Sequence, residues 1–375
     1  MGKSAVIIGS GIVGLAMARA LSLKGYSITV IERNEMAIGA SIRNFGMIWP
    51  IGQPSGKLYD RAIRSKTIWK EIADEAGFWY DECGSLHLAH DPDEWTVLQE
   101  LDEAFNADKR NTTLLKPDEI QKRYNGINGS NLKGGLFSKS ELIVDPREAI
   151  AAIPKYLSEK YGVTFSWNNN VTEIQSNKVK VGDKFLSADL IFICSGADFE
   201  TLYPEKFGAL SLTKCKLQMM RFASDINSFR IGTAICGGLS LIHYQSFKAA
   251  PSLNILKKKF ETALPEYLRL GIHVMVSQNG NGELTVGDSH QYGSTFSPFD
   301  EAYINDLILT YLKKFAVTDS WRQVQSWHGI YPKLADGNTD LLLKAEDGVY
   351  IVNGMGGAGM TLSFGFAEEV CQKVS

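Results

Sequence analysis

The sequence predicts an α/β fold, α+β over the whole chain. A parallel-sheet unit built from both chain ends is interleaved with a β-rich unit from the middle. Three observations predict it. Residues 4–32, "SAVIIGSGIVGLAMARALSLKGYSITVIE", alternate strand, glycine-rich turn, helix and strand. The C-terminal run "GVYIVNGMGGAGMTLSFGFAEEVCQKV" repeats strand, glycine cluster and helix. Residues 211–290 read as long strands. A chain of 375 residues exceeds what one hydrophobic core usually serves, so two closely joined domains are expected. The first takes residues 1–80, 145–210 and 325–375; the second, a β-rich cap, takes 81–144 and 211–324.

The elements follow in order. After the first strand–helix–strand, "LYDRAIRSKTIWKEIADEAG" places Ala62, Ile63, Ile68, Trp69 and Ile72 at helical spacing and stops at Gly77. Helices are expected over 93–108 and 146–161, the latter entered through Asp145-Pro146. Short strands are expected near 163–167, 171–175, 178–181 and 184–194. A hairpin is marked where "GIHVMVSQ" and "ELTVGDS" flank "NGNG". Its alternation puts His273, Met275 and Ser277 on one face, opposite Ile272, Val274 and Val276. Residues 300–315 read as helix and 320–331 as strand.

Composition narrows the classes. Hydrophobic content of 44% with 22% charged residues describes a globular chain. A net charge of −3 without a basic tract argues against nucleic acid or an anionic membrane as partner. The cysteines 83, 194, 215, 236 and 371 have no ligand spacing, which reads as reduced thiols in a cytoplasmic protein. There is neither a cleavable leader pattern nor a run of apolar residues long enough to span a bilayer. The six histidines contain no metal-ligand motif, so no metal is expected.

Gly9, Gly11 and Gly14 form G-x-G-x-x-G between a strand and a helix, the setting of a Rossmann-like dinucleotide site. The first glycine permits the tight turn. The second admits a pyrophosphate to the Ile12 and Val13 end of the helix, and the third lets that helix pack on the sheet. Glu32 ends the next strand, where a carboxylate can accept ribose hydroxyls. The second glycine-rich helix start, Gly354, Gly356, Gly357, Ala358, Gly359, Met360 and Thr361, faces a further anionic group. A reduced flavin carries negative charge, so two such starts favour FAD over NAD. The strand "ADLIFICSGA" brings Cys194 and Gly196 to the same turn region.

The motifs "GSGIVG", Glu32-Arg33, "AS-x-RN" at Ala40–Asn44, "VDP", "FICSGA" and "GMGGAGMTL" resemble, over the full length, a family of FAD-dependent oxidoreductases. Its members include D-amino acid oxidase, glycine oxidase and sarcosine oxidase. The resemblance implies a glycine-oxidase-like fold. It also implies that Arg33, Ala40, Ser41 and Asn44 meet phosphate, ribityl chain or ring, with the Val171 backbone on the adenine. "SIRNFGMIWPIGQPSG" resembles more narrowly a subgroup associated with aminophosphonate breakdown. The implied chemistry is hydride transfer from an amine-bearing carbon to flavin N5, with water hydrolysing the imine. The implied partners are a small-molecule amine and O2 or another electron acceptor.

The chain departs from its relatives where they bind substrate. The arginine of the "G-x-R-P" segment that grips a carboxylate is replaced by Tyr331 in "HGIYPKLADG". Gly329 stands in place of a flavin-linking cysteine, so noncovalent FAD is expected. Arg43 is the leading candidate for the substrate anion, since its planar fork suits a phosphonate or carboxylate. A contact to cofactor or to an internal carbonyl is the competing role. His243, Tyr244, His273 and Tyr331 complete the substrate candidates; Met47, Trp49 and Trp327 are expected as walls. The rival activities are a D-amino acid or sarcosine-type enzyme and a 2-hydroxy-acid dehydrogenase. A flavin-bound sensor or interaction subunit is the non-enzyme rival.

Overall fold

A computed structural model describes residues 2–374. Ser4–Ile8 lies at the centre of a six-stranded sheet, flanked by Ser27–Ile31 and Leu190–Ile193. Val349–Asn353 and Thr164–Ser166 extend the sheet in parallel, and Leu341–Glu346 closes one edge antiparallel. Its central strands are largely apolar because both faces are covered, one by helices and the other by a small three-stranded sheet that includes Val171 and Val179. Ile12–Ser22 and the C-terminal helix Gly359–Val374 pack together, so the two chain ends share one core.

The helix Lys57–Ala76 stops at Gly77, whose φ of +75° allows the left-handed cap. Its buried Arg61 reaches Glu369 through Nε at 2.7 Å and Nη2 at 2.9 Å, and also pairs with Asp340. This ties the helix to the C-terminal one. Asp145 caps Pro146–Tyr161 by accepting the Arg147 N–H at 2.9 Å.

The second large sheet has nine strands and includes Ser85–Ala89, Gly134–Ser138, Leu212–Ser224, the expected hairpin and Trp321–Leu334. The hairpin strands are Met275–Gln278 and Leu284–Gly287. Leu212–Ser224 pairs along its whole length with Trp321–Leu334.

One expectation fails. Residues 238–269 are not long strands: they form short turns at Gly238–Ile242 and Gln245–Ala249, then helices Leu253–Ala263 and Pro265–Arg269. Leu253, Leu256 and Phe260 bury a helical stripe, a spacing that outweighs any strand preference, and Pro265 opens the next helix. The span 184–194 divides into Lys184–Ser187 and Leu190–Ile193, which belong to different sheets. Among the described residues no helix is long and apolar enough to cross a membrane.

Candidate active site

One cavity of about 1370 Å³ runs between the two large sheets. That exceeds the roughly 300–1,000 Å³ of a drug-sized pocket and suits a dinucleotide together with a second small molecule. At one end lies the glycine-rich turn. Gly9 takes φ +102°, and a Cβ there would come within 2.5 Å of the Cys194 carbonyl oxygen. A Cβ on Gly14 would stand 2.0 Å from the Gly9 carbonyl oxygen, so this glycine serves the packing of helix on loop and does not line the cavity. Gly11, Ile12 and Val13 do line it. Gly11 caps the helix without any side-chain bond; the Ile12 N–H donates to Ser41 Oγ at 2.9 Å.

Glu32 is buried and lines the cavity with its carboxylate held in place. Oε2 accepts from the N–H and hydroxyl of Ser10, both at 3.0 Å, while Oε1 accepts from Asn34. Arg33, Ala40, Ser41, Arg43, Asn44, Val171, Cys194 and Gly196 are also on the lining. Several are already engaged within the protein. Arg33 is paired with Asp198 at 2.7 Å. The Asn44 amide donates to the Ala40 and Ser41 carbonyls and accepts from Gly46 N–H, folding the turn that presents Ser41.

From the C-terminal cluster, Gly356 to Thr361 line the cavity and Gly354 does not. Gly354 has φ +77° and faces Leu334, whose Cδ1 would lie 2.9 Å from an added Cβ. Thr361 accepts the Trp49 N–H at 2.9 Å. This bond joins the helix start to the segment of Phe45, Met47 and Trp49, which form a wall, while Ile48 and Ile51 point into the cores.

All five substrate candidates line the cavity: Arg43, His243, Tyr244, His273 and Tyr331. Arg43 Nη1 donates to the His328 carbonyl at 3.2 Å, the competing role named above. Gly329 packs beside it, with an added Cβ only 3.2 Å from the Arg43 carbonyl oxygen, so a side chain there would press on this segment. Trp327 is not a wall; its indole donates to the Arg43 carbonyl at 3.3 Å and Arg147 covers its ring. Tyr331 and Tyr244 are enclosed, and burial pushes both phenols well above their usual pKa.

Spacing reasoning did not reveal that His243, His273 and His290 come together, one ring nitrogen of each within 4.8 Å of the others. They arise from a turn and the two arms of a hairpin, so no short motif joins them. His243 opens onto the cavity, and His273 and His290 are buried. Burial lowers the pKa of His273 well below the usual value, and that of His290 to about 4. Asp288 was also missed. It exchanges backbone hydrogen bonds with His273 across the hairpin and lies 3.1 Å from His273 Nε2. The register of the hairpin was the available signal, since the arm "ELTVGDS" contains Asp288 and sets it opposite His273. Lys333 also lines the cavity and donates to Tyr292 Oη at 2.8 Å.

The fold and cavity fit a dinucleotide-binding protein in which a nine-stranded sheet faces the nucleotide-binding sheet across the cavity. The chain belongs to the FAD dependent oxidoreductase family, whose profile matches residues 4–373. FAD is therefore the cofactor. The site fits it: the glycine-rich turn has no side chain to fill it, the helix start has no acidic residue in its first turn, and a carboxylate stands at the next strand end. Among solved structures, glycine oxidase from Bacillus cereus superposes with a TM-score of 0.79 at 15% identity, covering 99% of this chain and 94% of that one. L-proline dehydrogenase from P. horikoshii gives 0.79 at 20%, covering 100% and 93%. These likenesses establish a glycine-oxidase-like fold. A curated relative, the tRNA 5-methylaminomethyl-2-thiouridine biosynthesis bifunctional protein MnmC of Saccharophagus degradans, is 24% identical over 63% of this chain and 34% of its own length. The chain thus spans about a third of that relative. D-amino acid dehydrogenase from Helicobacter pylori is 24% identical over 53% of this chain and 61% of its own.

Proposed function

We propose that this chain is an FAD-dependent amine oxidoreductase whose substrate is a small primary or secondary amine bearing an anionic group, an aminophosphonate or an amino acid. The observation that carries this reading is the continuity of one cavity from Gly11 and Glu32 to an enclosed polar end at His273, Tyr331 and Lys333. Segments 1–80, 145–210 and 325–375 hold the cofactor, and 81–144 with 211–324 close over the substrate. Gly11, Ile12 and Val13 would hold the pyrophosphate, Glu32 the ribose, and the helix start at Gly359 the flavin edge, all noncovalently. FAD held there would supply the hydride acceptor for oxidation of the amine-bearing carbon.

The residues of the enclosed end supply the remaining requirements. Burial there disfavours an ammonium as it disfavours imidazolium at His273 and His290, so the amine is held neutral. The Lys333 ammonium supplies positive charge for the substrate anion in place of the absent arginine. Tyr331 and Tyr244 stay protonated and offer hydroxyls for orientation. Anaerobic titration of the yellow protein is the test. Loss of the flavin's visible absorbance with small anionic amines supports the reading. Bleaching by 2-hydroxy acids alone overturns it, and no bleaching by any amine leaves a flavin-bound sensor or interaction subunit. A D-amino acid or sarcosine-type substrate is the second reading, favoured by the D-amino acid dehydrogenase relative; the same titration separates it from aminophosphonates.

A further inference from the structure

The three histidines of the enclosed end form a closed triangle. Ring centroids are 3.8 Å apart for His243 and His273, 4.9 Å for His243 and His290, and 5.1 Å for His273 and His290. One hydrogen bond fixes the free nitrogen of His290. His290 Nδ1 lies 2.9 Å from the Gly271 carbonyl, which can only accept, so Nδ1 carries the proton and Nε2 keeps its lone pair. His273 Nε2 faces Asp288 Oδ1 at 3.1 Å, and its Nδ1 is buried with no partner. A metal-bound imidazole is typically fixed in this way, its second nitrogen turned to a carboxylate or a backbone carbonyl.

We propose that His243, His273 and His290 bind a divalent transition-metal ion of the zinc class, with Asp288 behind His273 as the carboxylate that orients it. A free lone pair suits a cation; an anion would need N–H donors, and His290 has turned its N–H away to the Gly271 carbonyl. The chemistry of the set agrees, because neutral imidazoles are ligands for Zn2+, Ni2+ and Fe2+. Tetrahedral ligands at about 2.1 Å from an ion stand roughly 3.4 Å apart. The three ring nitrogens, all within 4.8 Å of one another, would draw in to that spacing by side-chain rotation on binding. Asp288 is 5% exposed and its Oδ1 has no well-formed hydrogen bond, so a dication behind His273 would supply the charge that this buried carboxyl lacks. Lys333 is the opposing cation on the same cavity wall. The ion's remaining positions face the end assigned to the substrate anion, a role that rests on the amine reading; the site itself does not.

The test uses the oxidised flavoprotein without substrate. Chelator-treated protein is dialysed against micromolar Zn2+ or Ni2+, and metal per chain is measured by mass spectrometry beside flavin per chain. About one ion per chain is expected. His243→Ala should lose it, with affinity down ~100-fold or more, and Asp288→Asn should weaken it about 10–100-fold. Flavin content and circular dichroism report that each variant is folded. His243 lies on a turn at the cavity surface, which makes its replacement the milder of the two. Wild type that retains no more of either ion than His243→Ala would overturn the site, as would full retention by both variants.

Discussion

His87 offers a sharp test of how the cavity wall responds to acid. It is 1% exposed, packs at 5.8 Å from Trp49 and 5.1 Å from Phe247, and neither ring nitrogen has a partner. Burial alone lowers its pKa from 6.5 to about 3. The unfolded chain therefore binds a proton below 6.5 that the folded chain refuses. The associated stability is complete above 6.5, is lost as pH falls, and the loss levels off near 3. At about pH 5, some 1.5 units below the unfolded value, the loss is ~2 kcal/mol at ~1.4 kcal/mol per unit. His87→Phe removes this proton while keeping an aromatic ring against Trp49 and Phe247. Urea unfolding, followed by tryptophan fluorescence at equal FAD, is measured for both proteins at about pH 7.5 and about pH 5. The variant should lose ~2 kcal/mol less than wild type on acidification, a double difference in which other titrating groups cancel. Equal losses in the two proteins, within about 0.5 kcal/mol, would refute the buried neutral histidine.

Other substitutions address the cofactor turn, the anion and the joint between the chain ends. Gly14→Ala places a methyl 2.0 Å from the Gly9 carbonyl oxygen, so the protein should be isolated with little flavin; a normal flavin-to-protein ratio would contradict the packing role. Arg61→Met leaves Glu369 and Asp340 without their buried guanidinium. Because both carboxylates are partly exposed, the cost should be ~3 kcal/mol, read as a lower urea midpoint. Lys333→Met should raise the amine concentration for half-bleaching at least ~10-fold, the loss of one charge-assisted bond. Arg43→Met, which removes a bond to the His328 carbonyl, should change that concentration by less than about threefold while lowering stability by ~1–2 kcal/mol. The reverse pattern would return the anion to Arg43.

Local sequence carried the cofactor half of this protein. A glycine-rich turn between strand and helix, and a carboxylate at the next strand end, are features of neighbouring residues, so Gly9, Gly11 and Glu32 could be placed without tertiary information. The C-terminal cluster was legible for the same reason, although Gly354 turned out to pack on Leu334. The helices at 253–269 were missed although Leu253, Leu256 and Phe260 have helical spacing, because the strands on either side set the expectation for the whole middle region.

What the sequence determined by itself was a dinucleotide-binding α/β chain, and its resemblance to glycine oxidase put Tyr331 where that family has an arginine. The tertiary structure alone decided what gathers at the Tyr331 end of the cavity. Arg43 turned to a backbone carbonyl because the strand Trp321–Leu334 runs beside it. His243 met His273 and His290 because a turn far from the hairpin in sequence folds onto it. Hydrogen-bonded register and packing bring such groups together across long stretches of chain, and no spacing rule on the linear sequence contains those distances.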